Sequence, residues 1–332
     1  MRYVIYGAGA IGGVIGGRLA QHGRDVVLIA RGDHLRAIQR GGLVLESPND
    51  RVTLPIPAVA SPSDVDWRDG DAVILAMKTQ DTEPALQQLA LVAPAPTPIV
   101  CAQNGVENER LALRRFANVY AQSVMLPATH LEPGVVQANS GTAITGILDT
   151  GRYPDDTDAF TEQFTADLEA SGFSSKPDPM VMRKKYAKLL MNLGNAYQAA
   201  CADQSDRAVA EEARAEAVAC YQAAGIDFAS EDEDRQRRGD LVRIAPIAGQ
   251  RRSGGSTWQS LARGHRTVEA DWLNGEIVML GALHGIPTPV NRVLQRCANR
   301  LAAAGAQPGS MTLAELKAEI DAERESEGAL AG

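Results

Sequence analysis

Three glycines lie within six residues near the start of the chain, in the segment Gly7–Gly12 (GAGAIG). The segment follows the short apolar run Arg2–Tyr6 and leads into apolar residues at positions 11, 14, 15 and 19, a spacing that indicates one helix face. A strand, a glycine-rich turn and a helix in this order are typical of a phosphate-binding motif. The start of the chain therefore predicts a dinucleotide-binding βαβ unit. The expected cofactor-binding residues are Gly7, Ala8, Gly9, Ala10, Ile11 and Gly12.

Each glycine of this motif has its own expected role. Gly7 permits the tight turn, Gly9 lets the backbone approach a pyrophosphate, and Gly12 allows the helix to pack closely on the strand. The alternative is a glycine-rich turn that binds no ligand, and the position between a strand and a helix argues against it.

Strand and helix patterns alternate through the first half of the chain. The apolar runs Asp25–Ala30, Ala72–Met77 and Pro98–Ala102 are typical of buried parallel strands, and helix-like segments separate them. We expect Val119–Leu148 to add strands that complete the same sheet. This order predicts a doubly wound, mostly parallel α/β sheet.

The second half of the chain is rich in helix patterns. The pattern changes near Ser174–Pro179 (SSKPDP), and helical periodicity then dominates. We therefore predict a nucleotide-binding domain at 1–178, an all-α substrate and dimerisation domain at 179–313, and a charged tail at 314–332. The longer predicted helices are Ala187–Ala202, Ala208–Ala224, Val268–His284 and Val290–Ala304.

Composition and charge limit the functional classes. The chain has 332 residues, 45% of them hydrophobic, a formal net charge of −8, and four scattered cysteines. The acidic balance argues against a general nucleic-acid binder, and neither the cysteines nor the histidines have the spacing of a metal site. No apolar run reaches the roughly 18 residues of a membrane span, and the first residues do not have the pattern of a signal peptide. We expect a cytoplasmic protein with reduced cysteines that binds neither nucleic acid, membrane nor metal.

The residues at the end of the second strand bear on which dinucleotide is bound. The strand ends at Ile29-Ala30-Arg31, without the carboxylate that usually holds the ribose of NAD. Arg31 can pair with a 2′-phosphate and stack on adenine, so the sequence favours NADP(H). Asp33 lies just beyond and can still reach a ribose, so NAD stays open as the alternative.

Two polar residues follow neighbouring predicted strands. Lys78 comes just after Ala72–Met77, and Asn104 follows Pro98–Ala102. Open α/β sheets bind ligands at the carboxyl ends of their strands, so both side chains are candidates to lie near the nicotinamide end of a dinucleotide. The alternatives are a lysine that extends to solvent and a turn residue before Gly105.

A polar stripe lies on the predicted helix Ala187–Ala202. Lys188, Asn192 and Asn195 are spaced i, i+4 and i+7, so they share one face of a mostly apolar helix. Burying such groups is costly without a ligand, and a lysine with a tuned pKa can protonate an alkoxide while asparagines orient a carbonyl substrate. A solvent-exposed face is the alternative. Glu269 is a candidate partner of the lysine, with a surface helix carboxylate as its alternative.

Seven segments of the sequence match one known family in order: GAGAIGG, LIARGDHL, MKTQDTEPAL, QNGVENE, KYAKLLMN, VEADWLNG and HGIPTPVN. Through them the chain resembles the ketopantoate reductase family of NADPH-dependent 2-oxo acid reductases. The resemblance implies an N-terminal Rossmann-type domain, a helical C-terminal domain, an active site in the cleft between them and a homodimer. The activity that it implies is the reduction of 2-dehydropantoate (ketopantoate) to pantoate, a step of pantothenate biosynthesis.

The resemblance also implies roles for individual residues. Lys188 matches the family's catalytic lysine, which protonates the carbonyl oxygen, and Glu269 matches the glutamate that contacts the substrate hydroxyl and the lysine. Asn104 matches an asparagine near nicotinamide and substrate, and Arg31 matches the arginine associated with the 2′-phosphate. Two further positions that match family residues are Lys78 and Asn192.

Several substrate-facing positions depart from the family pattern. Members that reduce ketopantoate usually carry an asparagine eight positions after the catalytic lysine, where this chain has Ala196, and Asn195 lies one position earlier. Thr257 stands where the family has a carboxylate-binding serine, with Ser256 before it and Trp258 after it. We expect Asn195, Ser256 and Thr257 to contact a 2-oxo acid substrate. The alternatives are a related 2-oxo acid or ketone as substrate, and a non-catalytic NADP-binding sensor.

Overall fold

The computed structural model describes residues 1–202, 207–250, 252 and 254–331. The chain divides into two compact units. The first unit comprises Met1–Lys185 and Ala229–Arg252, and the second comprises Tyr186–Phe228 and Ser253–Gly332. The first unit is therefore assembled from two stretches of sequence, which no sequence pattern reveals.

The strands of the described residues belong to the first unit and form two sheets. In chain order they are β1 (Arg2–Tyr6), β2 (Asp25–Ile29), β3 (Leu43–Glu46), β4 (Arg51–Leu54), β5 (Ala58–Val59), β6 (Asp71–Leu75), β7 (Ile99–Cys101), β8 (Val119–Met125), β9 (Ala128–Thr129), β10 (Val135–Ala138) and β11 (Ile147–Arg152). The main sheet has the order β11-β8-β7-β6-β1-β2-β5, and β11 alone is antiparallel to its neighbour. Since β1 pairs in parallel with both β2 and β6, the sheet extends from β1 in both directions, which is the doubly wound arrangement.

The helices complete the first unit and build the second. In chain order they are α1 (Ala10–Gln21), α2 (Gly32–Gly41), α3 (Thr82–Ala90), α4 (Asn108–Leu113), α5 (Ala159–Glu169), α6 (Val181–Asn192), α7 (Gly194–Cys201), α8 (Arg207–Ala224), α9 (Glu231–Arg238), α10 (Ser256–Ala262), α11 (Asn274–His284), α12 (Pro289–Ala304) and α13 (Leu313–Ala331). No strand is present among the described residues of the second unit. The predicted fold class, an N-terminal Rossmann-type doubly wound sheet followed by an all-α part, is confirmed.

A second sheet, of order β4-β3-β10-β9, lies against α1. A Cβ on Gly13 would be 2.6 Å from Val136 of β10, and one on Gly17 would be 3.3 Å from Leu45 of β3. The prediction that Val119–Leu148 completes a single sheet is therefore wrong for β9 and β10. The reason is that α1 presents glycines on this face, which lets a second apolar layer pack closely on the helix.

The predicted helix Val268–His284 is interrupted. It begins with the 3₁₀ turn Glu269–Trp272, and Leu273 (φ −114°, ψ −86°) separates this turn from α11. Asn274 then points inward, and its buried amide donates a hydrogen bond to Oδ1 of Asn291 at 3.0 Å. This buried contact fixes where α11 starts and places Glu269 on a turn, where the sequence pattern predicts a continuous helix.

A buried ion-pair cluster fastens Ala229–Arg252 to the main sheet. Asp149 on β11 is 1% exposed and accepts hydrogen bonds from Nε of Arg237 at 2.7 Å and from Nζ of Lys184 at 2.8 Å. Burial alone would raise the pKa of Asp149, but the two cationic donors outweigh it, so this pKa lies below its ordinary value. The ionised carboxylate thus connects α9 and the start of α6 to β11.

The structure also bears on the classes of site considered above. All four cysteines are buried free thiols. Among the described helices, none has the length and hydropathy needed to cross a bilayer. Within the described residues, no group of three or more His, Cys, Asp or Glu side chains is arranged to hold a metal ion.

Candidate active site

The glycine-rich turn has the geometry that a phosphate-binding loop needs. Gly7 has a φ of +101°, and a Cβ there would be 2.7 Å from the backbone N of Met77. A Cβ on Gly9 would meet no heavy atom within 4 Å, so the turn is open at this point. A Cβ on Gly12 would be 2.3 Å from the carbonyl oxygen of Gly7, so this contact requires glycine. The three positions fit the separate roles of turn, phosphate approach and close packing.

The start of α1 offers backbone N–H groups to an anion. Gly9 precedes the helix without a side-chain cap, and the first turn contains no acidic residue. The first N–H groups of a helix have no acceptor within it and carry its positive dipole end. Gly7 and Ala8 donate their own N–H groups to the carbonyl of Ile29, at 3.1 and 3.3 Å, which fixes the turn beside the end of β2. This region therefore fits the pyrophosphate of a dinucleotide.

Arg31 lies two residues after β2, at the start of α2, and its side chain is 80% exposed. Its Nη2 is 3.1 Å from Oδ2 of Asp81. An exposed ion pair of this kind contributes only about 0–1 kcal/mol, so a ligand phosphate can displace the carboxylate. Asp33, the alternative ribose ligand, forms an ion pair with Arg36. Both Arg31 and Asp33 are thus exposed side chains held by surface ion pairs at the start of α2.

Lys78 and Asn104 follow the adjacent parallel strands β6 and β7, and each is half-buried. Hydrogen bonds join the two turns that carry them. Nδ2 of Asn108 donates to the carbonyl of Asn104 at 3.1 Å and to Oγ1 of Thr79 at 3.2 Å. The structure therefore brings Lys78 and Asn104 to the same carboxyl edge of the main sheet.

The predicted polar stripe lies on α6 and α7. The single predicted helix Ala187–Ala202 is divided at Leu193, which keeps a right-handed helical backbone (φ −59°, ψ −31°). Lys188 is half-buried on α6, Asn192 is 9% exposed one turn later, and Asn195 lies on α7. Within the described part of the chain, Nδ2 of Asn192 has no hydrogen-bond partner. Since an unpaired buried donor is costly, this amide is suited to bind an oxygen of a ligand.

A serine and a glutamate meet elsewhere in the second unit. Ser256 opens α10, and its Oγ donates to Oε2 of Glu269 at 3.4 Å. Glu269 is 3% exposed, and Thr257 is also buried. A Cβ on Gly255 would be 2.9 Å from Oδ1 of Asn195. The structure therefore places Asn195, Ser256 and Glu269 in one part of this unit.

The sequence reasoning missed a buried charged pair beside Asn104. Lys185 is 3% exposed, donates from Nζ to the carbonyl of Gln103 at 3.1 Å and forms an ion pair with the fully buried Glu109. Burial, with a smaller effect of Glu109, raises the pKa of the neighbouring Cys101 thiol well above its ordinary value. Lys185 lies in the segment KYAKLLMN and Glu109 in QNGVENE, and both segments match the family. This shared match is the signal that could have pointed to the pair.

Two family models together match most of the chain. The model described as "Ketopantoate reductase PanE/ApbA" matches residues 3–149, and "Ketopantoate reductase PanE/ApbA C terminal" matches residues 181–302. A curated 2-dehydropantoate 2-reductase of Pyrococcus horikoshii is 29% identical over 308 residues, which cover 89% of this chain and 95% of the relative. A protein of the same name from Archaeoglobus fulgidus is 30% identical over 308 residues, which cover 88% of this chain and 95% of the relative.

Solved structures share the fold. The PanE/ApbA family ketopantoate reductase from Ralstonia eutropha has a TM-score of 0.76 at 28% identity, covering 92% of this chain and 99% of its own. D-mandelate dehydrogenase with NADH and anilino(oxo)acetate has a TM-score of 0.76 at 24% identity and the same coverage of both chains, which is a likeness of fold.

Proposed function

The chain belongs to the ketopantoate reductase family of oxidoreductases, and on this premise we propose that it reduces 2-dehydropantoate (ketopantoate) to pantoate with NADPH. The resemblance inferred from the seven sequence segments is confirmed by the family models. The observation that carries the proposed chemistry is on α6. There the half-buried Lys188 lies one helical turn from Asn192, whose buried Nδ2 has no partner in the described residues.

The second unit supplies the groups that act on the 2-oxo acid. When bound, the reduced nicotinamide supplies the hydride that C2 of the substrate receives. Lys188 donates a proton from Nζ to the carbonyl oxygen as negative charge develops there. Asn192 donates a hydrogen bond from Nδ2 to a substrate oxygen, and Glu269, held by Ser256, accepts one from the hydroxyl group that forms. Asn195 and the hydroxyl of Ser256 or Thr257 bind the substrate carboxylate.

The first unit supplies the residues that would hold NADPH. The opening at Gly9 and the uncapped start of α1 fit the pyrophosphate. Arg31 is exposed and lies at the end of β2, where a 2′-phosphate would lie in a Rossmann-type site. Lys78 and Asn104, at the carboxyl edge of the sheet, would bind the nicotinamide half.

The preference for NADPH is tested at Arg31. A charge-assisted hydrogen bond contributes roughly 1.5–3 kcal/mol, so Arg31→Ala should weaken NADPH binding about 10- to 100-fold while NADH binding stays nearly unchanged. Titration calorimetry with both cofactors measures this difference. Arg40→Ala is the control, since Arg40 is an exposed arginine in the last turn of α2, and it should change neither affinity. Equal losses for the two cofactors at Arg31→Ala would refute the assignment.

The substrate is tested by steady-state kinetics with ketopantoate and several larger 2-oxo acids. We expect turnover with NADPH and a preference for ketopantoate that is weaker than in typical members, because Thr257 and Trp258 change the shape of the pocket. One misplaced methylene in such a pocket is worth only about 1–3 kcal/mol, so modest cross-reactivity should follow. A preference above about 10⁴-fold over every analogue would show that these departures have no effect. Cofactor binding without turnover of any 2-oxo acid would favour the non-catalytic sensor.

A further inference from the structure

A buried chain of side-chain hydrogen bonds joins the turns that follow β6 and β7. Nε2 of Gln103 donates to Oγ1 of Thr82 at 2.6 Å, and this hydroxyl donates to Oδ1 of Asn108 at 2.8 Å. Nδ2 of Asn108 then donates to Oγ1 of Thr79 at 3.2 Å and to the carbonyl of Asn104 at 3.1 Å. The four linking side chains are all buried, and those of Thr82 and Asn108 are completely so.

One backbone carbonyl fixes the direction of this chain. The carbonyl oxygen of Asn104 can only accept, so the amide nitrogen of Asn108 must face it. The amide oxygen of Asn108 therefore faces Thr82, whose hydroxyl must donate its proton to it. The hydroxyl oxygen of Thr82 is left to accept from Gln103. Reversing one of these bonds would leave two buried acceptor oxygens facing each other, so the chain has one favourable arrangement.

The ion pair of Lys185 and Glu109 contacts the backbone of the turn that carries Asn104. Nζ of Lys185 donates to the carbonyl of Gln103 at 3.1 Å, while the side chain of Gln103 is bound to Thr82. Glu109, the ionic partner of Lys185, follows Asn108 directly on α4. Both the backbone and the side chain of the residue before Asn104 are therefore fixed.

Such a polar chain is costly to bury. Apolar side chains would fill the same space without leaving any side-chain donor or acceptor to be paired. The four bonds of this chain do what apolar packing does not, because each bond has a required direction and length. Here the bonds connect two turns that come from different parts of the sequence. Each turn carries one of the residues assigned to the nicotinamide half of the cofactor, Lys78 or Asn104.

We propose that Thr82 and Asn108 are positioning residues that hold the turns bearing Lys78 and Asn104 in the one arrangement that binds the nicotinamide half of the cofactor. The inference rests on the proposed function for the identity of that cofactor, NADPH. Thr82 and Asn108 act through the two turns, and the adenine half of the cofactor depends on other residues, Gly7–Gly12 and Arg31.

The test compares two threonine-to-valine substitutions in the first unit. Thr82→Val keeps the volume of the side chain but removes the hydroxyl between Gln103 and Asn108. Thr150→Val is the matched control, because Thr150 is also completely buried and its Oγ1 accepts from a glutamine amide, Nε2 of Gln122, at 3.0 Å. Thr82→Ser retains the hydroxyl and should behave like the wild type.

The readout is binding of NADPH and of 2′-phospho-ADP-ribose, which lacks nicotinamide, by titration calorimetry. Loss of one or two buried hydrogen bonds predicts that Thr82→Val weakens NADPH binding about tenfold, with the affinity for 2′-phospho-ADP-ribose within about twofold of wild type. Thr150→Val should leave both affinities unchanged. If Thr82→Val does not fold, Thr79→Val removes only one acceptor at the end of the chain and should give the same pattern with a smaller effect.

Two outcomes overturn the inference. One is a Thr82→Val protein that binds NADPH as the wild type does, and the other is equal weakening of NADPH and 2′-phospho-ADP-ribose. A wild-type protein that binds neither ligand overturns the inference together with the cofactor assignment. A wild-type protein that binds NADPH but reduces no 2-oxo acid refutes only the proposed reaction, since the positioning role is measured by binding alone.

Discussion

Lys188→Ala is expected to lower kcat by about 10²–10⁴-fold, which is the range that a general acid contributes. The reason is that the carbonyl oxygen of the substrate would gain negative charge without a positioned proton donor. Binding of NADPH should stay unchanged, because its proposed ligands lie in the first unit. Stopped-flow or steady-state oxidation of NADPH, followed by absorbance, measures kcat.

The matched control for this experiment is Lys176→Ala, which removes an exposed lysine of the first unit. It should leave both kcat and the affinity for NADPH unchanged. A Lys188→Ala enzyme with near-normal turnover would exclude Lys188 from the reaction. A parallel loss of NADPH affinity would show instead that the substitution disturbs more than proton transfer.

Lys185→Met is expected to lower the free energy of unfolding by about 3–5 kcal/mol, because it leaves the carboxylate of Glu109 buried without its partner. Unfolding in guanidinium chloride, followed by circular dichroism, measures the loss. The double variant Lys185→Met/Glu109→Leu removes both charges and should recover most of it, since a buried ion pair and an apolar pair of similar volume are often nearly equal in stability.

Together with the single variant Glu109→Leu, these two variants form a cycle that isolates the interaction of the pair. A loss below about 1 kcal/mol for Lys185→Met would contradict the inference that Lys185 compensates the buried charge of Glu109. Failure of the double variant to recover would show that the hydrogen bond from Lys185 to Gln103 carries the effect.

Local patterns were enough to predict the main sheet but not the second one. The glycine turn and the apolar runs of β1, β2, β6 and β7 predict parallel strands. A parallel strand is buried on both faces, so nearly all of its residues are apolar. The sequences of β9 and β10 do not show which strands they pair with, because strand pairing depends on residues distant in sequence. What directs them to α1 is the space above Gly13 and Gly17, which is visible only once the helix is placed.

In the candidate site, too, local features could be predicted from the sequence, whereas contacts between distant residues could not. Gly7, Gly9 and Gly12 could be assigned from spacing because a helix start and a tight turn are local structures. Lys185 follows Lys184 on a helix, and two adjacent lysines predict a solvent-exposed face. Its burial depends on Glu109, 76 residues earlier, which no periodicity connects to it.

Other assignments stay predictions until they are measured. They are the roles of the candidate site residues, the domain limits at residues 178 and 313, and the homodimer that the resemblance implies.

The ion-pair cluster of β11 has a consequence for the order in which the protein can be made. Asp149 leaves the ribosome well before Arg237, which lies 88 residues later in the sequence. During synthesis the strands of the main sheet are therefore present while one cationic partner of a buried carboxylate is still missing. Chains usually acquire structure from the N-terminus as they emerge. Here the first unit can complete the pairing of Asp149 only after Tyr186–Phe228, the shorter stretch of the helical unit, has been translated.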